Sequence, residues 1–116
     1  MKRTVSLKEN HLFRRAYNRG KSAADSRLAL YVRGNGRREN RLGLTVSTKV
    51  GCAVVRNRVR RRLREIYRLN EDRLVSGTDV VVVARVRAAS SQYRQLEHSF
   101  LKLADKLELL KKEGPG

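Results

Sequence analysis

The side chains in this sequence best suited to chemistry are arginines, and they are concentrated. Arg56, Arg58, Arg60, Arg61, Arg62, Arg64 and Arg68 lie on one stretch with Asn57 among them. Guanidinium is a planar, always-charged fork of donors that matches phosphate oxygens, so the partner implied is a polyanion. A run of charges is more often a solvated helix face. Solvated faces, however, mix both signs and gain from acid–base pairs one turn apart. Here eight basic residues between Lys49 and Arg68 meet a single acid, Glu65. Arg60 and Arg64, like Arg58 and Arg62, are one turn apart and repel unless a ligand relieves them. The spacing favours binding.

The element that must position these groups is a helix. At 3.6 residues per turn, Val55, Val59, Leu63, Ile66 and Tyr67 form one apolar stripe. Asn57, Arg61, Arg64 and Arg68 point nearly the opposite way. Arg58 and Arg62 follow one flank of the stripe, Arg56 and Arg60 the other. One side is for burial and a broad side is for phosphate.

The whole chain agrees. Its 116 residues predict a single domain over 1–116 with one modest core. A net charge of +17 and a pI of about 11.3 point to nucleic acid before an anionic membrane or an acidic protein. Residues 1–48 carry 12 basic and 3 acidic groups, whereas residues 69–116 carry 8 and 7. The C-terminal part therefore reads as scaffold. One cysteine, Cys52, excludes an internal disulfide and predicts a reducing, cytoplasmic setting. With no second cysteine or local histidine, Cys52 reads as a small packing residue. No apolar run suits a secretory signal or a membrane span.

Along the chain, Ser6 and Glu9 have the spacing of a capping box, which predicts a helix ending at Arg19 before Gly20. Leu12, Phe13, Ala16 and Tyr17 share a face of it. Phe13 and Tyr17 are suited equally to core packing and to stacking on single-stranded nucleic acid, given the arginines between them. Arg27–Arg33 and Leu42–Ser47 predict two strands joined as an antiparallel hairpin across Gly34–Asn40, and Ser22–Asp25 suits a short extra strand. Thr78–Ala84 is apolar almost throughout, which predicts a central strand buried on both faces. With the arginine helix between them, Leu42–Ser47 and Thr78–Ala84 make a βαβ unit with parallel strands. Ser90 or Ser91 then caps a final helix, whose Tyr93, Leu96, Phe100, Leu103, Leu107 and Leu110 recur at helical spacing and cover the sheet. Gly114-Pro115-Gly116 reads as a frayed end. The fold class is α+β, an α/β sandwich of an N-terminal helix, a mixed sheet of about four strands and a C-terminal helix.

This order of elements, with the run Ala53–Glu65 and its Arg56-Asn57-Arg58 signature, resembles the protein subunit of bacterial ribonuclease P. Phe13, Tyr17, Gly20, Leu42–Ser47, Lys49, Gly51 and the Asp79–Ala84 strand extend the resemblance over nearly the whole chain. The resemblance implies a sandwich related to a ribosomal-protein domain, with a left-handed βαβ crossover where the general rule gives a right-handed one. It implies removal of the 5′ leader from precursor tRNA, with the RNA subunit as catalyst and Mg²⁺ held mainly by RNA phosphates. It further implies that Arg56, Asn57, Arg58, Arg60, Arg61, Arg62, Arg64 and Arg68 engage the catalytic RNA. The single-stranded leader would lie in a cleft between the first helix and the sheet, with Phe13, Tyr17 and Tyr31 stacking on bases and Arg14, Lys49 and Ser47 near the backbone.

No catalytic residue and no metal site on the protein is expected. His11 and His98 sit on separate helices, and carboxylates do not cluster in the basic region. Other readings are a ribosomal or general structured-RNA-binding protein without a processing role, a basic-helix DNA binder, and a protein nuclease. The DNA reading lacks the heptad segment that would pair such helices, so neither DNA nor membrane is expected as a partner.

Overall fold

The computed structural model describes residues 1–112; the expected frayed end, Gly114-Pro115-Gly116, lies outside the described residues. The elements are strand β1 (Thr4–Ser6), helix α1 (Asn10–Arg19), strands β2 (Lys21–Ala24), β3 (Leu28–Gly34) and β4 (Asn40–Thr45), helix α2 (Ala53–Asn70), strand β5 (Thr78–Ala84) and helix α3 (Tyr93–Lys106). Short 3-10 turns occupy Thr48–Val50, Glu71–Arg73 and Val86–Ser90. The five strands form one mixed sheet in the order β1-β4-β5-β3-β2.

β5 takes the centre because its side chains are apolar in both directions. Val80, Val82 and Ala84 join the larger core with α2 and α3, while Val81 and Val83 face the smaller cluster of Leu7, Leu12 and Ala16 under α1. The layers are therefore α1, sheet, then α2 with α3. β4 and β5 run parallel and α2 connects them, as the sequence predicts for a βαβ unit. α3 packs over β3 and beside α2.

The predicted hairpin is not formed. β3 pairs antiparallel with β5, and β4 pairs parallel with β5, so the later strand separates the two earlier ones. The apolar run of β5 demands two neighbours, and the connection between β3 and β4 is long enough to step across one strand. Ser6 does not cap α1. It belongs to β1, Glu9 is the N-cap without a side-chain bond, and Leu7 N–H donates to Leu42 O at 2.9 Å. Pairing with β4 overrides the local capping signal, and this three-residue strand raises the expected four to five. Ser90 and Ser91 do not cap α3 either. Their hydroxyls donate to Arg87 O at 3.3 and 2.8 Å, while Gln92 and Gln95 form the capping box. α3 ends at Lys106, and Glu108, with φ 59°, turns the chain so that Leu109 is buried and Leu110 bridges to Leu74.

Two buried polar contacts lock the layers in register. Asp79 accepts from Arg41 Nε at 2.7 Å and Nη2 at 2.9 Å, and from Asn35 Nδ2 at 3.0 Å. This clasp joins β4 and the end of β3 across the first residues of β5. On the other face, the fully buried Tyr67 hydroxyl meets Thr4 Oγ1 at 2.9 Å and Asn40 Nδ2 at 3.3 Å. Burial pushes that phenol above its ordinary pKa, so it stays neutral and satisfied within the core.

Gly43 sets the height of α1 above the sheet. A Cβ there would come within 2.5 Å of the Phe13 ring and 3.1 Å of Leu7. Gly43→Ala should push Phe13 off the sheet and destabilise the protein by about 1–3 kcal/mol, as for other overpacked sites. Urea denaturation would measure this, and an unchanged midpoint would show that the Phe13 ring has no fixed seat.

Candidate nucleic-acid interface

Two surfaces emerge, on opposite faces of the sheet. The first is α2. Val59, Leu63, Ile66 and Tyr67 are buried, as the apolar stripe predicts, and Val55 is half-buried. Asn57, Arg61, Arg64 and Arg68 are exposed and Arg60 half-buried. The arginines nevertheless differ in how they are held. Arg58 Nη2 donates to Ala89 O and Arg62 Nη1 to Ser91 O, both at 3.2 Å, so this flank also ties down the turn before α3. Arg56 Nε donates to Gly51 O at 3.2 Å. Arg68 pairs with Glu65, Nε to Oε2 at 3.1 Å, and that contact holds the Glu65 carboxyl below its usual range. Arg60, Arg61 and Arg64 make no side-chain hydrogen bond or ion pair among the described residues. They are the free guanidinium groups.

Cys52 corrects the sequence reading. It is exposed at the N-cap of α2. The N–H groups of Val55 and Val54 at the open helix end lower its thiol pKa. A helix start leaves no room to bury the N-cap side chain when the preceding turn, Thr48–Val50, packs through Val50 instead.

The second surface is aromatic. Phe13 and Tyr17 stand on α1 with ring centroids 6.4 Å apart, and Tyr17 meets Tyr31 of β3 edge-on at 4.9 Å. Phe13 and Tyr31 are half-buried against Val81 and Val83, whereas Tyr17 is 37% exposed. The Tyr17 hydroxyl lies 2.9 Å from Thr45 Oγ1. Core packing, which the sequence left level with stacking, is therefore present for Phe13 and Tyr31, while Tyr17 is the most exposed of the three rings. Ser47 and Lys49 are exposed beyond the end of β4, Lys49 in the 3-10 turn Thr48–Val50. Arg14 lies apart from the rings and lines a shallow concavity on the outer side of α1 with His11, Arg15 and Arg19. His11 is exposed and pairs with Glu9 at 3.3 Å; His98 is exposed on α3.

Two residues of this surface escaped the sequence reading. Thr45 fixes Tyr17, and Gly43 seats Phe13. Period-two alternation along β4 places 43 and 45 on one face, and a glycine inside a strand signals close approach. Those signals were present.

Residues 1–108 match the family described as Ribonuclease P. The chain belongs to that family. The ribonuclease P protein component of Natranaerobius thermophilus is 42% identical over 112 residues, covering 97% of each chain. That of Clostridium botulinum is 43% identical over 101 residues, covering 86% of this chain and 91% of the relative. The fold matches the ribonuclease P protein of Staphylococcus aureus with a TM-score of 0.84 at 29% identity, over 91% of this chain and 97% of that one. The Thermotoga maritima protein gives 0.77 at 28% identity, over 94% and 98%. The chain thus matches the protein subunit of the ribonuclease P ribonucleoprotein, an endoribonuclease that processes tRNA, and a ribonucleoprotein subunit has an RNA partner.

The arginines separate by experiment. Arg61→Gln with Arg64→Gln should leave the melting temperature unchanged and flatten the salt dependence of RNA binding by about 1.4–1.8 log units per log unit of salt, the loss of two phosphate contacts. Arg58→Gln with Arg62→Gln should flatten it too and also lower the melting temperature, because two carbonyls lose their donors. Equal slopes for the wild type and the Arg61/Arg64 variant would remove that face from the phosphate interface.

Proposed function

We propose that this protein assists RNA-catalysed, endonucleolytic removal of the 5′ leader from precursor tRNA by binding the catalytic RNA and the single-stranded leader at once. The observation that carries this reading is the division of the molecule by its sheet. An arginine-faced helix lies on one side, and the cluster of Phe13, Tyr17 and Tyr31, with Tyr17 exposed, lies on the other.

In this reading α2 holds the catalytic RNA. Arg60, Arg61 and Arg64 contribute free guanidinium groups, Asn57 and Arg68 extend the same face, and Arg56, Arg58 and Arg62 form its carbonyl-anchored flanks. Phe13, Tyr17 and Tyr31 stack on leader bases. Stacking gives about 1–3 kcal/mol per base and tolerates any base, which suits leaders of varied sequence. Ser47 and Lys49 meet the backbone past Thr45, and Arg14 approaches it from the outer side of α1.

The chemistry in this reading belongs to the RNA. The exposed face of α2 is mostly cationic, its one carboxylate, Glu65, is paired with Arg68, and the described residues hold no cluster of three or more His, Cys, Asp or Glu side chains. The protein therefore does not fit as the holder of Mg²⁺, which we assign to RNA phosphates. Its own contribution is to position both RNAs and offset phosphate repulsion, lowering the Mg²⁺ the ribonucleoprotein needs. No described helix is long and apolar enough to cross a membrane. We place the protein in the cytoplasm, with precursor tRNA.

The test is cleavage of precursor tRNA at low Mg²⁺ by protein alone, catalytic RNA alone, both and neither. Cleavage at the mature 5′ end should require both. Activity of the protein alone would overturn the mechanism, and no rescue would leave only general RNA binding. With the assembled complex, Phe13→Ala should weaken precursor binding about tenfold or more, the loss of one stacked base, while mature tRNA binding holds. Equal losses on both would make Phe13 a packing residue only.

A further inference from the structure

Between the sheet edge and α2 lies a cleft of about 390 Å³ that neither surface uses in full. It opens where β1 stops short of the end of β4. Asn40 N–H donates to Arg3 O and Leu7 N–H to Leu42 O, so residues 40 and 42 turn their peptide groups toward β1. Leu44 is next in that alternation. The chain, however, has left the edge at Leu7 to enter α1. The Leu44 N–H and C=O therefore face the cleft, and among the described residues no strand pairs with them there.

The walls have a definite character. Leu7, Leu44 and Phe13 supply an apolar side, Ser6 a hydroxyl, and Arg60 and Arg64 two guanidinium groups one helical turn apart. No carboxylate lines the cleft. Its volume falls in the range of about 300–1,000 Å³ usual for small-ligand sites. A slot with one apolar wall and an aromatic edge, an adjacent donor and acceptor on the main chain, and a pair of phosphate-binding forks suit one class of ligand. We propose that this cleft is a nucleotide pocket. One base of an RNA strand enters against Phe13 and Leu44, its hydrogen-bonding edge meets the Leu44 N–H and C=O, and its phosphate lies on Arg60 and Arg64.

The pocket extends the RNA-binding reading rather than repeating it. Phe13 belongs both to this cleft and to the aromatic cluster with Tyr17. The pocket thus joins the two RNA surfaces around the sheet edge, and a strand leaving the rings has a place to turn toward α2. Every nucleobase carries a neighbouring donor and acceptor, so the pocket accepts any base in one orientation or another.

The test is an NMR titration of the ¹⁵N-labelled full chain with adenosine 5′-monophosphate, and in parallel with inorganic phosphate and a single-stranded tetranucleotide. The monophosphate should shift the Leu44 amide and the Arg64 Nε–H signal saturably. Arg64→Gln should weaken that binding about tenfold, as for loss of a charge-assisted bond. Val5→Trp, a substitution at a 40% exposed position on the rim, should block it. A silent Leu44 amide overturns the pocket, and so does inorganic phosphate reproducing the whole pattern. The tetranucleotide separates the two proposals. Shifts at Tyr31 and Thr45 with Leu44 silent sink the pocket alone, and shifts at Leu44 with Tyr31 and Thr45 silent uphold the pocket and sink the leader cleft.

Discussion

The architecture depends on one strand that has no face to show to water. Val80, Val81, Val82 and Val83 follow one another in β5, and all but the last are fully buried. A strand that must be covered above and below forces helices onto both sides of the sheet. α1 covers Val81 and Val83; α2 and α3 cover Val80 and Val82. The separation of an aromatic surface from a cationic one follows from that demand. The rings and the arginines come together only round the β4 edge, where Phe13, Arg60 and Arg64 line one cleft.

The sequence made the arginine helix legible to the residue because its signal is local. Periodicity alone sorts Val59, Leu63, Ile66 and Tyr67 from Arg61 and Arg64, and the structure keeps that sorting. The central strand and the βαβ unit were legible for the same reason. What failed was non-local. Neither the insertion of β5 between β3 and β4 nor the pairing of Thr4–Ser6 with residues 40–42 leaves a trace in any window of neighbouring residues. In both places tertiary pairing overrode a sound local signal, a hairpin in one case and a capping box in the other. Cys52 failed differently. Its residue type favours burial, whereas its position at a helix start decides for exposure.

At the site, the sequence named the rings but not their supports. Phe13, Tyr17 and Tyr31 converge from two elements, yet Gly43 and Thr45 determine where the first two can stand. The arginines show a similar division. Equivalent by type, they separate in the structure into groups that hold carbonyls of neighbouring turns and groups with nothing to hold. A helix carrying this much like charge is easier to keep folded when part of the charge is spent on its own scaffold. The rest stays available.

The Tyr67 hydroxyl, reaching from α2 to Thr4 and Asn40, also bears on the order in which the chain can assemble. β1 is synthesised before its pairing partner, which begins at Asn40, and before its side-chain anchor, residue 67. Contacts of such long sequence separation form late, because the intervening loop must close first. β1 therefore waits until residue 67 has been made. The seat of Phe13 over Gly43, in the same part of the structure, closes only then, which leaves the aromatic rings as one of the last surfaces the nascent protein completes.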